Sequence, residues 1–203
     1  CQWNVYGGIM ASELTEQTIK GPTSGGNANT ILVPSGQTLY APGHVIQVAF
    51  GEYHTASTAA FNNASFAPMT TAQATITPKF SSSKILVHCN GTASGAGSAN
   101  EYSWHLKRGS SWIGGNSAGK SGNTHASGGT GTTTTAGNEN SATLSFHYLD
   151  SPATTNATTY ILGFQGGETA TYYINRGTTS AWANNYNFYN TGGCTITLME
   201  IAQ

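Results

Sequence analysis

At least six runs of this sequence alternate with a period of two, and turn-forming residues separate them. HVIQVAF sets Val45, Gln47 and Ala49 against Ile46, Val48 and Phe50. In EYSWHLKRG, Tyr102, Trp104 and Leu106 share one face, and Ser103, His105 and Lys107 share the other. ATLSFHYLD repeats the scheme with Leu144, Phe146 and Tyr148. QATITP, KILVHCN, TTYILGFQGG, ETATYYIN and GCTITLMEI complete a set of seven or eight strands of ordinary length. Successive side chains of a strand point to opposite faces, so this period commits the chain to sheet. Gly, Asn, Ser and Pro between the runs point to an antiparallel β-sandwich, jelly-roll-like, over residues 44–203. The last run is apolar on both faces, Ile196 and Leu198 against Met199 and Ile201, as a central or interface strand requires.

Composition narrows the function classes. Only 7% of residues are charged and the formal net charge is −1, so no basic patch is available to track nucleic-acid phosphates. With 26 glycines and few helix formers, an all-α fold is excluded. A content of 37% hydrophobic and 10% aromatic residues is enough for a core and argues against disorder. No apolar window reaches the length of a membrane-spanning helix, so no membrane insertion is expected. No charged start followed by an apolar run suggests a signal peptide.

Cys1, Cys89 and Cys194 are too few and too scattered for a disulfide framework or a zinc site. Cys89 lies in an apolar run, where a reduced buried thiol is the more common state; a Cys89–Cys194 bridge is the other possibility. Cys1 fits a lipidated bacterial N-terminus, but Met10 reads better as a start, with residues 1–9 upstream sequence.

Residues 1–43 read as an extended leader and attachment segment. Pro22, Pro34 and Pro42 with neighbouring glycines stop any long element. The cluster Ile31, Leu32 and Val33 cannot bury itself there and needs the following domain or identical chains. Two other stretches resist assignment to strands. Residues 114–141 hold almost nothing that packs, and residues 176–193 are long yet rich in aromatics.

Chemical signatures are weak. His88, His105 and His147 fall on three different strands, each on the less apolar side, and could meet at a ligand or an interface. Their spacing matches no ligand signature, so they read as outer-face polar residues and no metal is expected. Glu52, Glu101, Glu139, Asp150, Glu168 and Glu200 are sparse, and nothing pairs two of them across a sugar bond. Asp150-Ser151-Pro152 reads as a turn with the carboxylate accepting backbone N–H groups. No nucleophile elbow, SxxK or phosphate loop occurs, so neither an enzyme nor a cofactor is expected. The sequons at Asn63, Asn90 and Asn156 are what chance gives in an Asn- and Thr-rich chain.

ILVPSGQTLYAPGHVIQV, ITPKFSSSKILV, HLKRGSSWIGG, FHYLDSPATTNATTY, YYINRG and the closing TITLMEIAQ resemble tail-fibre and related virion fibre proteins of bacteriophages, especially marine ones. The likeness covers most of the chain from Met10 onward. It implies a virion-surface homotrimer with a distal β-sandwich that touches the host, the leader intertwined and attached to other virion proteins. It carries no catalytic residues. The chain is short for such a fibre, with no long shaft and no tail-docking domain. That leaves a second reading open, a capsid-decorating or head-fibre protein that binds no ligand.

Two candidate surfaces follow. Trp182, Asn184, Asn185, Tyr186, Asn187, Phe188 and Tyr189 crowd one loop. Rigid amphipathic rings mixed with adaptable amides suit a glycan or protein ligand, the composition that antibody loops use. The other reading is that these rings pin a long loop onto the sandwich. Trp112 and His125 could form the opposite wall, since loops gather at the ends of a sandwich. For the oligomer interface the candidates are Ile31, Leu32, Val33, Leu86, His88, His147 and Leu149, with assembly sensitive to pH between roughly 5 and 7 if the histidines line it.

Overall fold

The computed structural model describes residues 23–26, 28, 30–55, 57–61, 67–95, 101–113, 130–132, 141–166, 170–175 and 192–203. The chain divides into a unit spanning Cys1–Leu39 and one spanning Tyr40–Gln203. In the first, Pro34 and Gln37 close a turn through a 3.0 Å backbone hydrogen bond, with Gly36 at the left-handed φ of 83°. Among the described residues the second holds eleven strands and no helix. The strands are β1 (Val45–Tyr53), β2 (Ser57–Phe61), β3 (Ala67–Ile76), β4 (Lys84–Gly95), β5 (Glu101–Arg108), β6 (Ser111–Ile113), β7 (Thr130–Thr132), β8 (Ser141–Asp150), β9 (Thr158–Gly166), β10 (Ala170–Ile174) and β11 (Cys194–Ile201).

All pairings are antiparallel, and they build two sheets. In the first sheet β8 covers one edge of β4 from Ile85 to Ser94. The other edge takes β11 beside Lys84–Asn90 and β10 beside Ala93–Gly95. β10 and β11 therefore lie end to end on one line. β1 and β2 do the same one place further out, pairing with β11 and β10. In the second sheet the order is β3, β9, β5, and the free edge of β5 takes β6 and β7 end to end. The eleven strands thus occupy eight lines, four per sheet. Counting lines along the chain, the first sheet runs 1-8-3-6 and the second 2-7-4-5, the jelly-roll order. The expected all-β antiparallel sandwich is the fold.

The inner faces supply the core. Trp104 and Leu106 of β5, Tyr160, Leu162 and Phe164 of β9, and Ala72, Ala74 and Ile76 of β3 face Ile85, Val87 and Cys89 of β4 and Ile196 and Leu198 of β11. Trp104 is fully buried and stands edge-on to Phe164 with centroids 5.0 Å apart. Its indole crosses to the other sheet and lies on Gly91 of β4, where a Cβ would sit 2.6 Å from its ring. At the β1 margin the sheets come closer still: a Cβ on Gly51 would overlap the Gln73 carbonyl of β3.

That close approach decides which side of β1 is inside. Gln47, Ala49 and Gly51 share the inner side, since small side chains fit there. The more apolar set, with Val48 and Phe50, points out, 58% and 57% exposed.

Two buried carboxylates lock the sandwich. Asp150, at the end of β8, accepts from Arg108 Nη1 at 2.9 and 2.8 Å and from the Tyr160 hydroxyl at 2.6 Å, tying the first sheet to the second. Burial, then this hydrogen bond, raises the Tyr160 pKa far above its ordinary value. The turn reading of Asp150 is corrected: its partners are side chains across the sandwich. Glu200, on the buried side of β11, accepts from the Lys79 and Phe80 amides at 2.7 and 3.3 Å and from Gln47 Nε2 at 2.6 Å. It fastens the β3–β4 turn to the sheet.

Gly91→Ala tests the inter-sheet contact. Trp104 has no room to retreat, so the variant should lose about 1–3 kcal/mol of stability, the usual cost of overpacking. The loss is read from urea denaturation followed by tryptophan emission.

Candidate functional site

The line formed by β10 and β11 is broken by an insert of the aromatic-rich segment, and the break is closed by one residue. Asn175 follows Ile174 with φ 58°, a left-handed conformation that Asn tolerates better than most residues. Its backbone N–H donates to the Thr92 carbonyl of β4 at 2.9 Å. Its side-chain amide donates to the Tyr53 carbonyl at 2.8 Å and, more weakly, to Thr55 at 3.4 Å, across the gap between β1 and β2. Its Oδ1 accepts from Cys194 Sγ at 3.3 Å. Asn175 is fully buried, so each bond replaces water that the broken sheet has lost. The chain re-enters through Gly192 and Gly193, where a Cβ would collide with the Thr92 side chain and the His54 ring respectively.

The second insert has the same construction. β6 ends with Ile113 opposite Leu106, and β7 begins with Thr130 opposite Ser103, so residues 114–129 interrupt a line on the edge of β5. Trp104 lies between those two pairs and rests on Gly91, next to Thr92, so both breaks fall at the same height of the sandwich. Both inserts are thus rooted within strand lines.

Trp182, Asn184, Asn185, Tyr186, Asn187, Phe188, Tyr189 and His125 lie outside the described residues. Trp112 is described. It is half-buried, and its ring covers Gly163 of β9, where a Cβ would overlap the indole. Lys107 Nζ stands 5.6 Å from its ring centroid, and His105 meets it edge-on at 6.1 Å. This packing holds Trp112 against the outer face of the second sheet.

The interface candidates of the sandwich do share a surface. Leu86 is directly opposite Leu149, and His88 directly opposite His147, all on the outer side of the first sheet. His88 Nε2 also meets Ser145 Oγ at 2.9 Å. Ile31, Leu32 and Val33 are exposed in the single chain. The three histidines do not converge. His105 belongs to the second sheet and is buried beside Ser103 Oγ, 2.6 Å from its Nε2. Among the described residues no three His, Cys, Asp or Glu side chains cluster.

Cys89 and Cys194 are both free thiols and both buried. Burial pushes Cys194 up to about 11 and Cys89 higher still, so neither is a ready nucleophile. Sequence reasoning missed Asn175, Val48, Phe50 and Met199. The signals were present: an Asn directly after an apolar run and a Gly-Gly pair just before Cys194 mark the two ends of the insert.

No protein-family model matches this sequence, and no curated protein does. The functional reading therefore rests on the residues themselves.

Two outcomes test the root of the insert. Asn175→Ala leaves the Tyr53 carbonyl and the Cys194 thiol without their partner, and should cost about 2–3 kcal/mol in chemical denaturation. The thiols predict an alkaline effect. A folded-state pKa raised above the unfolded one gives stability that is complete below the unfolded value and is lost as pH rises through the folded one. The urea midpoint should therefore fall from about pH 8.5 towards pH 11. It should fall less steeply in Cys194→Ser, which has no titrating group at that position.

Proposed function

We propose that this chain is the head of a bacteriophage virion-surface fibre. In this reading it is a homotrimer, attached to other virion proteins through its leader, and its insert 176–191 recognises a glycan or protein on the host surface. The observation that carries the reading is the root of that insert. A sandwich that breaks an internal strand line, and rebuilds the break around a fully buried Asn175, anchors both ends of the inserted segment through buried hydrogen bonds. Binding residues gain from such placement, because order supplied by the scaffold lowers the entropic cost of recognition. The segment between those ends is the one that combines Trp182, Tyr186 and Tyr189 with Asn184, Asn185 and Asn187. The likeness of the surrounding motifs to phage fibre proteins supports the setting, and the small charge favours a neutral ligand such as a glycan.

Replacing Trp182 and Tyr186 together by Ala tests the proposal. Host-cell adsorption of the purified protein should fall at least about tenfold, the loss expected of aromatic anchor residues. The circular dichroism and melting profile should be retained. Unchanged adsorption by the folded double variant would favour the capsid-decorating reading.

A further inference from the structure

Among the strand residues whose side chains are described, every exposed large hydrophobic lies on one surface. Val45, Val48, Phe50 and Leu149 are all on the outer side of the first sheet, and Leu39 and Tyr40 precede it in the chain. Among the described residues the outer side of the second sheet has none; Gln73, Thr75, Ser103, Lys107 and Thr159 are on it. The distribution is ordered as well as one-sided. Val48 is directly opposite Met199, Met199 opposite Leu86, and Leu86 opposite Leu149, so one apolar row crosses all four strand lines. The next row is Phe50, Thr197, His88 and His147.

We infer that this outer face is a docking surface for a second copy of the same chain. The inference deepens the oligomeric part of the reading above and is independent of whether the insert binds a host. Three observations select a copy over another partner. First, β1 turns its more apolar side outward, so the face is built into the register of an edge strand. A lone domain gains nothing from 58% exposure of Val48 and 57% of Phe50. Second, Lys84 and Glu52 are the only formally charged residues on this face among the described ones, so it holds no charge pattern for a charged partner to complement. Third, the size fits. Four lines about 4.8 Å apart and about seven residues long give a footprint of roughly 450 Å², and side-chain relief brings it towards the ~800 Å² per partner of a stable interface.

The test uses the full chain at about 10 μM, above the dissociation range of most interfaces of this size. Val48→Glu and Leu149→Glu place a charge at either end of the apolar row, on β1 and β8. Gln73→Glu, on the outer face of the second sheet, is the control. Sedimentation should show an oligomer for the wild type and the control. Each row variant should associate at least tenfold more weakly with its circular dichroism unchanged. If a variant fails to fold, the wild type alone decides. Diethyl pyrocarbonate should modify His44 readily and His147 slowly while the chain is assembled, and both readily after dilution to monomer. A wild-type monomer at this concentration overturns the inference. So does an oligomer in which His147 reacts as fast as His44, or one that both folded row variants leave intact.

Discussion

The indole of Trp104 lying on Gly91 joins the two sheets, and much of the molecule is arranged around that contact. A ring that crosses the sandwich needs a strand without a side chain beneath it. Gly91 supplies that position at the centre of β4, while Phe164 and then Tyr172 continue the aromatic packing beside it. The contact fixes the spacing of the sheets at the height where both inserts leave their strand lines. A protein with so few charges depends on this kind of interlocking. Its inner faces must fit closely, because little electrostatic attraction is available to hold them.

Three of the polar side chains in the interior gather several partners each. Asp150 gathers Arg108 and Tyr160, Glu200 gathers Gln47 and the amides of the β3–β4 turn, and Asn175 gathers β1, β4 and β11. Each sits where two or three strands would otherwise come apart. A buried carboxylate with fewer bonds would be costly, and the number of donors here offsets the loss of water. Local sequence presents Asp150 as a turn residue and gives Glu200 no role, because Arg108 and the partners of Glu200 are far away in the chain.

The alternation of β1, β4, β5, β8 and β11 was legible, and with it the sandwich. Periodicity tells which residues share a side of a strand. It does not tell which side is inside, or which sheet a strand joins. On β1 hydrophobicity pointed the wrong way: Gln47 and Ala49 are inside because the backbone of β3 approaches Gly51, and the larger Val48 and Phe50 are displaced outward. Gly51, in phase with Gln47 and Ala49, was the clue. Strand membership separated the histidines in the same way, His105 joining the sheet opposite to His88 and His147. The runs ending at Ile174 and beginning at Cys194 were each recognisable as strands. That they lie on one line follows only from their shared neighbour β4, a long-range pairing that no local pattern contains.

The break in that line has an evolutionary consequence. Its two ends, Asn175 and Cys194, are held within a single hydrogen bond of each other by contacts to β1 and β4 that do not depend on what lies between them. Doubling the length of a segment closed in this way adds only about 0.6 kcal/mol of closure entropy. On closure entropy alone, a change in segment length between Asn175 and the Gly192-Gly193 pair costs the fold little. A junction of this kind suits variation in segment length, in lineages or in grafted peptide libraries, because the contacts that close it lie outside the segment.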